Sequence, residues 1–294
     1  MTNQPEVFRR TEAILGESLV LDAPARALLW CDITAGIVHR SPLDGDPDGS
    51  DDTVILLPAP VASFHLADLG DEPGLVVSLW DRVVLVNASG EIVDELARID
   101  HAHLGMRLNE GKVDPFGRWV TGSMDLTRGL ADGAFYAIDP DGDQQVLAAG
   151  LGTANGLEFT RDGRRIYFTD TSVKTVYTAE YGPAGLVGAP AVFHRGAAHD
   201  GLVIDADGWL WSAIYGEGVV VRYDESGVER ERHEFPAPNV TSVAFAGSTL
   251  YVTSARENLT EEQLEAHPLS GSVFALETST SGFAARVFAS VPRS

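Results

Sequence analysis

The hydrophobic positions of this chain fall in short runs rather than in long periodic stretches. Runs rich in Val, Leu, Ile, Tyr and Trp occupy 27–33, 53–59, 74–80, 82–87, 118–124, 165–171, 175–181, 209–215, 219–224, 249–255 and 272–278. Each predicts a strand, because β-branched and aromatic side chains suit a pleated, half-buried surface. Gly, Pro, Asn and Asp gather between the runs, where tight turns need them. Sustained 3.6-residue periodicity is missing. The one predicted helix is LTEEQLEAH (259–267), with Thr260 as its cap and Glu262 to Glu265 in the first turn. The pattern predicts an all-β protein.

An internal repeat narrows the architecture. A turn ending in glycine and leading into an aromatic-rich strand recurs as DPFGRWVTG, TRDGRRIYFTD and DADGWLWSA, with a looser copy in FAGSTLYVTS. The glycines are Gly117, Gly163, Gly208 and Gly247, spaced by 46, 45 and 39 residues. A second series follows another strand at Gly90, Gly142, Gly227 and Gly282. Positive φ in a hairpin turn is the expected reason for glycine there. A period of 40–50 residues holding about four strands is the signature of propeller blades. Dividing the 294 residues by about 49 predicts a six-bladed β-propeller, with residues 1–294 as one domain. Polar residues at the ends of the innermost strands would then meet at the axis from distant parts of the sequence.

Charge changes the picture next. The chain carries 43 acidic and 21 basic residues, a formal net charge of -22. A field of that sign repels phosphate backbones and anionic membrane surfaces and attracts cations, so neither nucleic acid nor membrane is an expected partner. Much of the excess serves solubility or a salty cytoplasm. Cys31 is the only cysteine, which excludes an intrachain disulfide and a thiolate cluster. Neither an apolar leader nor a membrane-length apolar stretch occurs, so a soluble, cytoplasmic protein is expected. The oligomeric state is left open.

Most compact motifs fail. GxSxG does not occur, Gly111-Lys112 is followed by Val113 rather than Ser or Thr, and no GxGxxG opens a helix. DGDPDG (44–49) places aspartates as a calcium loop would, but its twelfth position is Ile55 instead of Glu. An acidic hairpin loop is the better reading. His101 and His103 would share one strand face as a zinc pair, but no third ligand accompanies them. Trp30, Trp209 and Trp211 read as packing between blades.

Five segments in order resemble one family: LGESLVLDAPARALLWCDI (15–33), RLNEGKVDPFGRWVTGSM (107–124), TANGLEFTRDGRRIYFTDT (153–171), HDGLVIDADGWLWSAIYGEGVVVRYDESG (199–227) and PNVTSVAFAGSTLYVTSARENLTEEQL (238–264). They resemble the senescence-marker-protein/gluconolactonase/luciferin-regenerating-enzyme group of six-bladed propellers, which includes regucalcin and bacterial sugar lactonases. Carried over residue by residue, the family's metal ligands fall on Glu17, Asn155 and Asp200. Two carboxylates and an amide oxygen suit a hard divalent cation, Ca²⁺ first, with Mg²⁺, Mn²⁺, Zn²⁺ or Fe²⁺ as alternatives. On residue type alone, Asn155-Gly156 and Asp200-Gly201 read as turn pairs and Glu17 as a solvated carboxylate.

The resemblance also implies that Arg107 and Asn109, at i and i+2 on one face, bind the substrate, with Glu110 standing where the family has Asp. His199 and Lys112 are implied outer partners of the site, and Asp200 the general base. Three departures stand out. Ser18-Leu19 replaces the family's Gly-Pro, His199 replaces Pro, and the segment after Met124 offers only Asp125 and Asp132 where relatives place a substrate-binding Glu. The implied activity is metal-dependent hydrolysis of a sugar lactone to its aldonic acid. The alternatives are an esterase acting on a non-sugar ester or lactone and a non-catalytic calcium-binding or protein-binding propeller.

Overall fold

A computed structural model describes residues 4–289. Six sheets, each containing four antiparallel strands that are consecutive in the chain in all but one, form the blades of a propeller. The inner strands are Gly16–Asp22, Ser63–Asp68, Met106–Val113, Ala154–Phe159, His199–Ile204 and Val240–Ala246, in blades I to VI. Each inner strand packs against that of the next blade, and the sixth packs against the first, which closes the ring. All six begin at the same end of the central channel, here called the top.

Two chain ends complete the ring. Glu6–Arg9 is the outermost strand of blade VI and pairs antiparallel with Val273–Glu277. Arg9 is fully buried and reaches into blade I, where it meets Asp52 at 2.8 Å and donates to the carbonyl of Pro42 at 2.6 Å. The far end of the chain, Phe288–Ala289, lies parallel to Ala67 and Asp68 of the second inner strand. It therefore crosses the lower mouth of the channel.

The sequence runs map onto strands with shortened ends. The run at 53–59 is a strand only over Thr53–Leu56. The helix is Glu261–Ala266, and Thr260 and Gln263 form a reciprocal capping box. Seven of the eight marker glycines adopt positive φ, from Gly247 at 63° to Gly142 at 94°. Gly282 does not. A β-carbon there would strike the ring of Phe245, so close packing is what requires this glycine. Trp30 and Trp211 are fully buried, whereas Trp209 is half-exposed beneath the guanidinium of Arg222, 4.3 Å from its ring. Apolar clusters fill the spaces between adjacent blades, as stacked sheets require. No helix among the described residues is long and apolar enough to cross a membrane.

Candidate metal and substrate site

The inner strands bring the site together because five of them break register at nearly the same height. The breaks lie between Glu17 and Val20, Leu108 and Gly111, Asn155 and Leu157, His199 and Leu202, and Val240 and Val243. The inner strand of blade II pairs regularly throughout. A bulge adds a residue on one strand and re-aims the side chains beside it. Here Glu17, Arg107, Asn109, Glu110, Asn155 and Asp200 come to lie, all at least nine-tenths buried, at and just below the top of the channel.

The bulges also explain two sequence features. Ser18 sits at φ 55°, in the left-handed region, so the family glycine at this position has a backbone reason. Gly156 lies in the inner strand rather than in a turn, and a β-carbon on it would collide with the carbonyl oxygen of Asp200. Asn155-Gly156 thus lets two neighbouring inner strands approach closely enough for Asn155 to ease the proton affinity of the Asp200 carboxyl.

The electrostatics of this cluster are lopsided. Burial pushes the Glu17 carboxyl well above its usual range, and the charges of Asp200 and Glu110 push it further. Burial, then the charge of Glu110, does the same to Asp200. Glu110 is raised mainly by burial and eased by Lys112 and by the amide of Gly111, which donates at 2.8 Å. Arg107 is the cation within reach of both Glu17 and Asp200, and burial lowers its own affinity for its proton. Asp200 Oδ1 is buried with no hydrogen-bond partner. Three buried carboxylates against one guanidinium, with one oxygen unpaired, make a site that fits a divalent cation. Among the described residues no group of three His, Cys, Asp or Glu side chains is arranged around one point. The expected ligand set, two carboxylates and the Asn155 amide, holds only two residues of those types.

Arg107 and Asn109 share one face, as their spacing predicts. Arg107 Nη1 donates to Asn109 Oδ1 at 2.7 Å and to the Leu108 carbonyl at 2.8 Å, while Asn109 Nδ2 donates to the Ala154 carbonyl at 3.1 Å. The pair is pre-oriented and leaves further guanidinium donors for a ligand.

Other expected residues go elsewhere. The His199 imidazole is fully buried inside its blade, where Nδ1 meets Ser212 Oγ at 2.9 Å and the ring packs edge-on against His194. Strand alternation explains this, since neighbours on a strand point to opposite faces and Asp200 takes the channel side. His199 is therefore a packing residue rather than an outer partner of the site. Lys112 lies five residues beyond Arg107 and binds Glu158 at 2.9 Å and the Leu202 carbonyl at 3.0 Å, at the lower end of the channel. His101 and His103 sit in a loop rather than on a strand. His103 faces Asp125 at 3.5 Å and Asp132 at 3.8 Å. Asp125 is itself spent on the amides of Thr127, Arg128 and Leu130, which hold its carboxyl well below the usual range. Residues 44–49 form the hairpin loop between the outer strands of blade I, tied by Arg26 to Asp44 at 2.9 Å.

Sequence reasoning missed Tyr215 and Glu257. Tyr215 directly follows the second strand of blade V, and its hydroxyl donates to the Glu257 carbonyl at 3.3 Å while accepting from Asn258 at 3.2 Å. Burial raises its pKa to about 12, with further contributions from Asp200, Glu257 and Glu17. Glu257 in turn acts on Arg107. Both therefore stand at the rim of the cluster. Nothing in the strand pattern marks them, because the long connection between the second and third strands of blade VI, not a strand, carries Glu257.

Residues 15–256 match the model of the SMP-30/Gluconolactonase/LRE-like region. The chain belongs to this family. Among its family relatives, a 6-deoxy-6-sulfogluconolactonase of Pseudomonas putida is 33% identical over 288 residues, covering 95% of this chain and 97% of the relative. An L-arabinolactonase of Azospirillum brasilense is 33% identical over 298 residues, covering 99% and 97%. The crystal structure of a calcium-binding regucalcin from Agrobacterium tumefaciens superposes with a TM-score of 0.88 at 29% identity, covering 97% of each chain.

Proposed function

We propose that this member of the family is a lactonase that hydrolyses a sugar lactone to its aldonic acid. The observation that carries the reading is the unpaired, buried Oδ1 of Asp200 at the same end of the channel as the pre-oriented Arg107–Asn109 pair. Relatives named as lactonases of sugar acids, matched over nearly their whole length, support it.

Glu17, Asn155 and Asp200 are the residues that would hold a divalent cation, Ca²⁺ first given the all-oxygen set. When bound, such a cation supplies Lewis-acid polarisation of the lactone carbonyl. The chain's own groups do the rest. Arg107 and Asn109 hold the ring hydroxyls and fix the face of the carbonyl presented to water. Asp200 Oδ1 takes a proton from that water as its oxygen bonds to the carbonyl carbon. The tetrahedral adduct collapses with cleavage of the bond to the ring oxygen. That oxygen receives the proton back and becomes a hydroxyl, and the new carboxylic acid releases its proton at neutral pH. Glu110, buried between Asp200 and Lys112 in its electrostatic reach, keeps the cluster negative and so favours the cation.

The test is acid release at constant pH from gluconolactone, xylonolactone and galactonolactone, before and after chelation and after reloading with Ca²⁺, Mg²⁺, Mn²⁺, Zn²⁺ or Fe²⁺. Turnover of at least one lactone, lost on chelation, is expected. A flat trace with every lactone and every ion would instead favour a calcium-binding propeller without turnover.

A further inference from the structure

The lower half of the channel has a chemistry opposite to that of the upper half. Its lining begins two to four residues further along the inner strands than the carboxylate cluster, roughly 7–13 Å at a strand rise of about 3.3 Å per residue. A cavity of about 290 Å³ lies there, lined by His65, Lys112, Glu158, Arg161, Phe283 and Arg286 among others. At about 30 Å³ per liquid water, it has room for a small ion together with part of its hydration shell.

The charge balance of this cavity runs against that of the whole chain. Three cations line it and a single carboxylate, Glu158, answers them. That carboxylate is already committed. Its Oε1 accepts from the amide of Phe159 at 2.8 Å and its Oε2 from Lys112 at 2.9 Å. Lys112 uses two of its three hydrogens, on Glu158 and on the Leu202 carbonyl. Arg286 donates from Nη2 to the Thr160 carbonyl at 3.2 Å and keeps Nη1 at 3.9 Å from Glu158. Arg161 lies with its guanidinium carbon 4.9 Å from the Phe283 ring centre. No ion pair involves Arg161 among the described residues.

A second observation points to a missing partner. His65, on the one inner strand without a bulge, is 6% exposed, and its Nδ1 is buried with no hydrogen-bond partner. A buried imidazole nitrogen without a partner costs about 1–3 kcal/mol, so such groups normally face a ligand or water. Donors from Lys112, Arg286, Arg161 and His65 converging on one cavity are what a small oxyanion needs. A metal cation is disfavoured by the same three charges.

We propose that the lower channel is a second binding site, separate from the carboxylate cluster, for a small oxyanion such as inorganic phosphate or a sugar-acid carboxylate. The crossing segment 283–286 supplies part of its wall, so occupancy would also fasten the C-terminal strand beneath blade II.

Isothermal titration of the chelated full chain with inorganic phosphate and, separately, with gluconate at fixed ionic strength tests this. Phosphate binding is expected, weakened about tenfold in Arg286→Gln and in Arg161→Gln, the loss of one charged hydrogen bond. Arg161→Gln leaves the Thr160 bond of the tail intact, so it separates anion binding from damage to the tail. Its lactone turnover should match the parent. Tighter gluconate than phosphate binding, weakened by both substitutions, would support the site and identify a carboxylate as its ligand. Absence of binding by both anions, or affinities that neither substitution alters, would overturn it.

Discussion

The two ends of one channel differ in charge, in backbone and in what they can hold. At the top, Glu17, Glu110 and Asp200 crowd around Arg107, and each carboxyl is pushed above its ordinary range, by burial first. At the bottom, Lys112, Arg161 and Arg286 face Glu158 alone. The same six inner strands line both ends. What differs is the bulge near the top of five of them, which turns consecutive polar residues toward the axis, while the regular lower halves mostly present apolar residues such as Val203 and Ile204. The site is thus a property of backbone irregularity imposed on a regular barrel of strands.

The sharpest way to break this contrast is Asp200→Ala. Turnover of a lactone should fall about a thousandfold in a variant whose circular dichroism is unchanged, because the general base is lost. Near-parent turnover would remove Asp200 from the mechanism. Cation binding comes next. Glu17 and Asp200 hold their protons more tightly folded than unfolded, so the metal-free protein loses stability as pH rises above the ordinary carboxylate range. A dication displaces those protons, so its stabilisation, about 2.7 kcal/mol at a hundredfold excess over Kd, should grow with pH over that same window. Calorimetric melting with and without Ca²⁺ from pH 4 upward (roughly the carboxylate pKa) would show it, and a shift independent of pH would count against coupling to these carboxyls.

Arg107→Lys sharpens the substrate half of the top site. A point charge cannot reproduce the guanidinium fork, so kcat/KM should fall about ten- to a hundredfold while melting changes little. His199→Asn probes the opposite face of the strand that carries Asp200. Burial holds the His199 pKa near 3, against an ordinary 6.5, so the unfolded chain takes up a proton there as pH falls between those values and the native state loses stability. The variant should melt earlier by about 1–3 kcal/mol at neutral pH, show a shallower acid limb, and keep its turnover. Loss of turnover would bring His199 back into the site. The smallest effect belongs to Ser18→Gly, which relieves φ 55° at the first bulge and should stabilise the fold by no more than about 1 kcal/mol in a denaturant melt.

The strand pattern exposed the second strand of every blade and most third strands, but passed over every inner strand and all the outermost ones except Thr53–Leu56. MRLNEGKV and HDGLVI carry Gly and ionisable residues where a strand run would carry Val, Ile or Tyr, since they line a polar axis. The functional strands are therefore the ones with the weakest local signal, and resemblance to a family made them visible. The shared face of Arg107 and Asn109 followed from simple alternation. His199 escaped the same rule because the sequence does not say which face of its strand turns to the axis.

The sequence by itself determined the all-β class, the blade period, the turn glycines at positive φ and the residue types available for cation and sugar chemistry. Those depend on local backbone preference and on repetition along the chain. Tertiary structure alone decided which residues share the axis. Closure by Glu6–Arg9, the register breaks and the return of Phe288–Ala289 under blade II are contacts across the whole ring. They set where Asp200 Oδ1 is left unpaired, where Tyr215 and Glu257 reach the rim, and where Lys112 leaves the top site for the bottom. Side-chain direction at a bulge follows from the pairing of two strands, and no single segment carries that information.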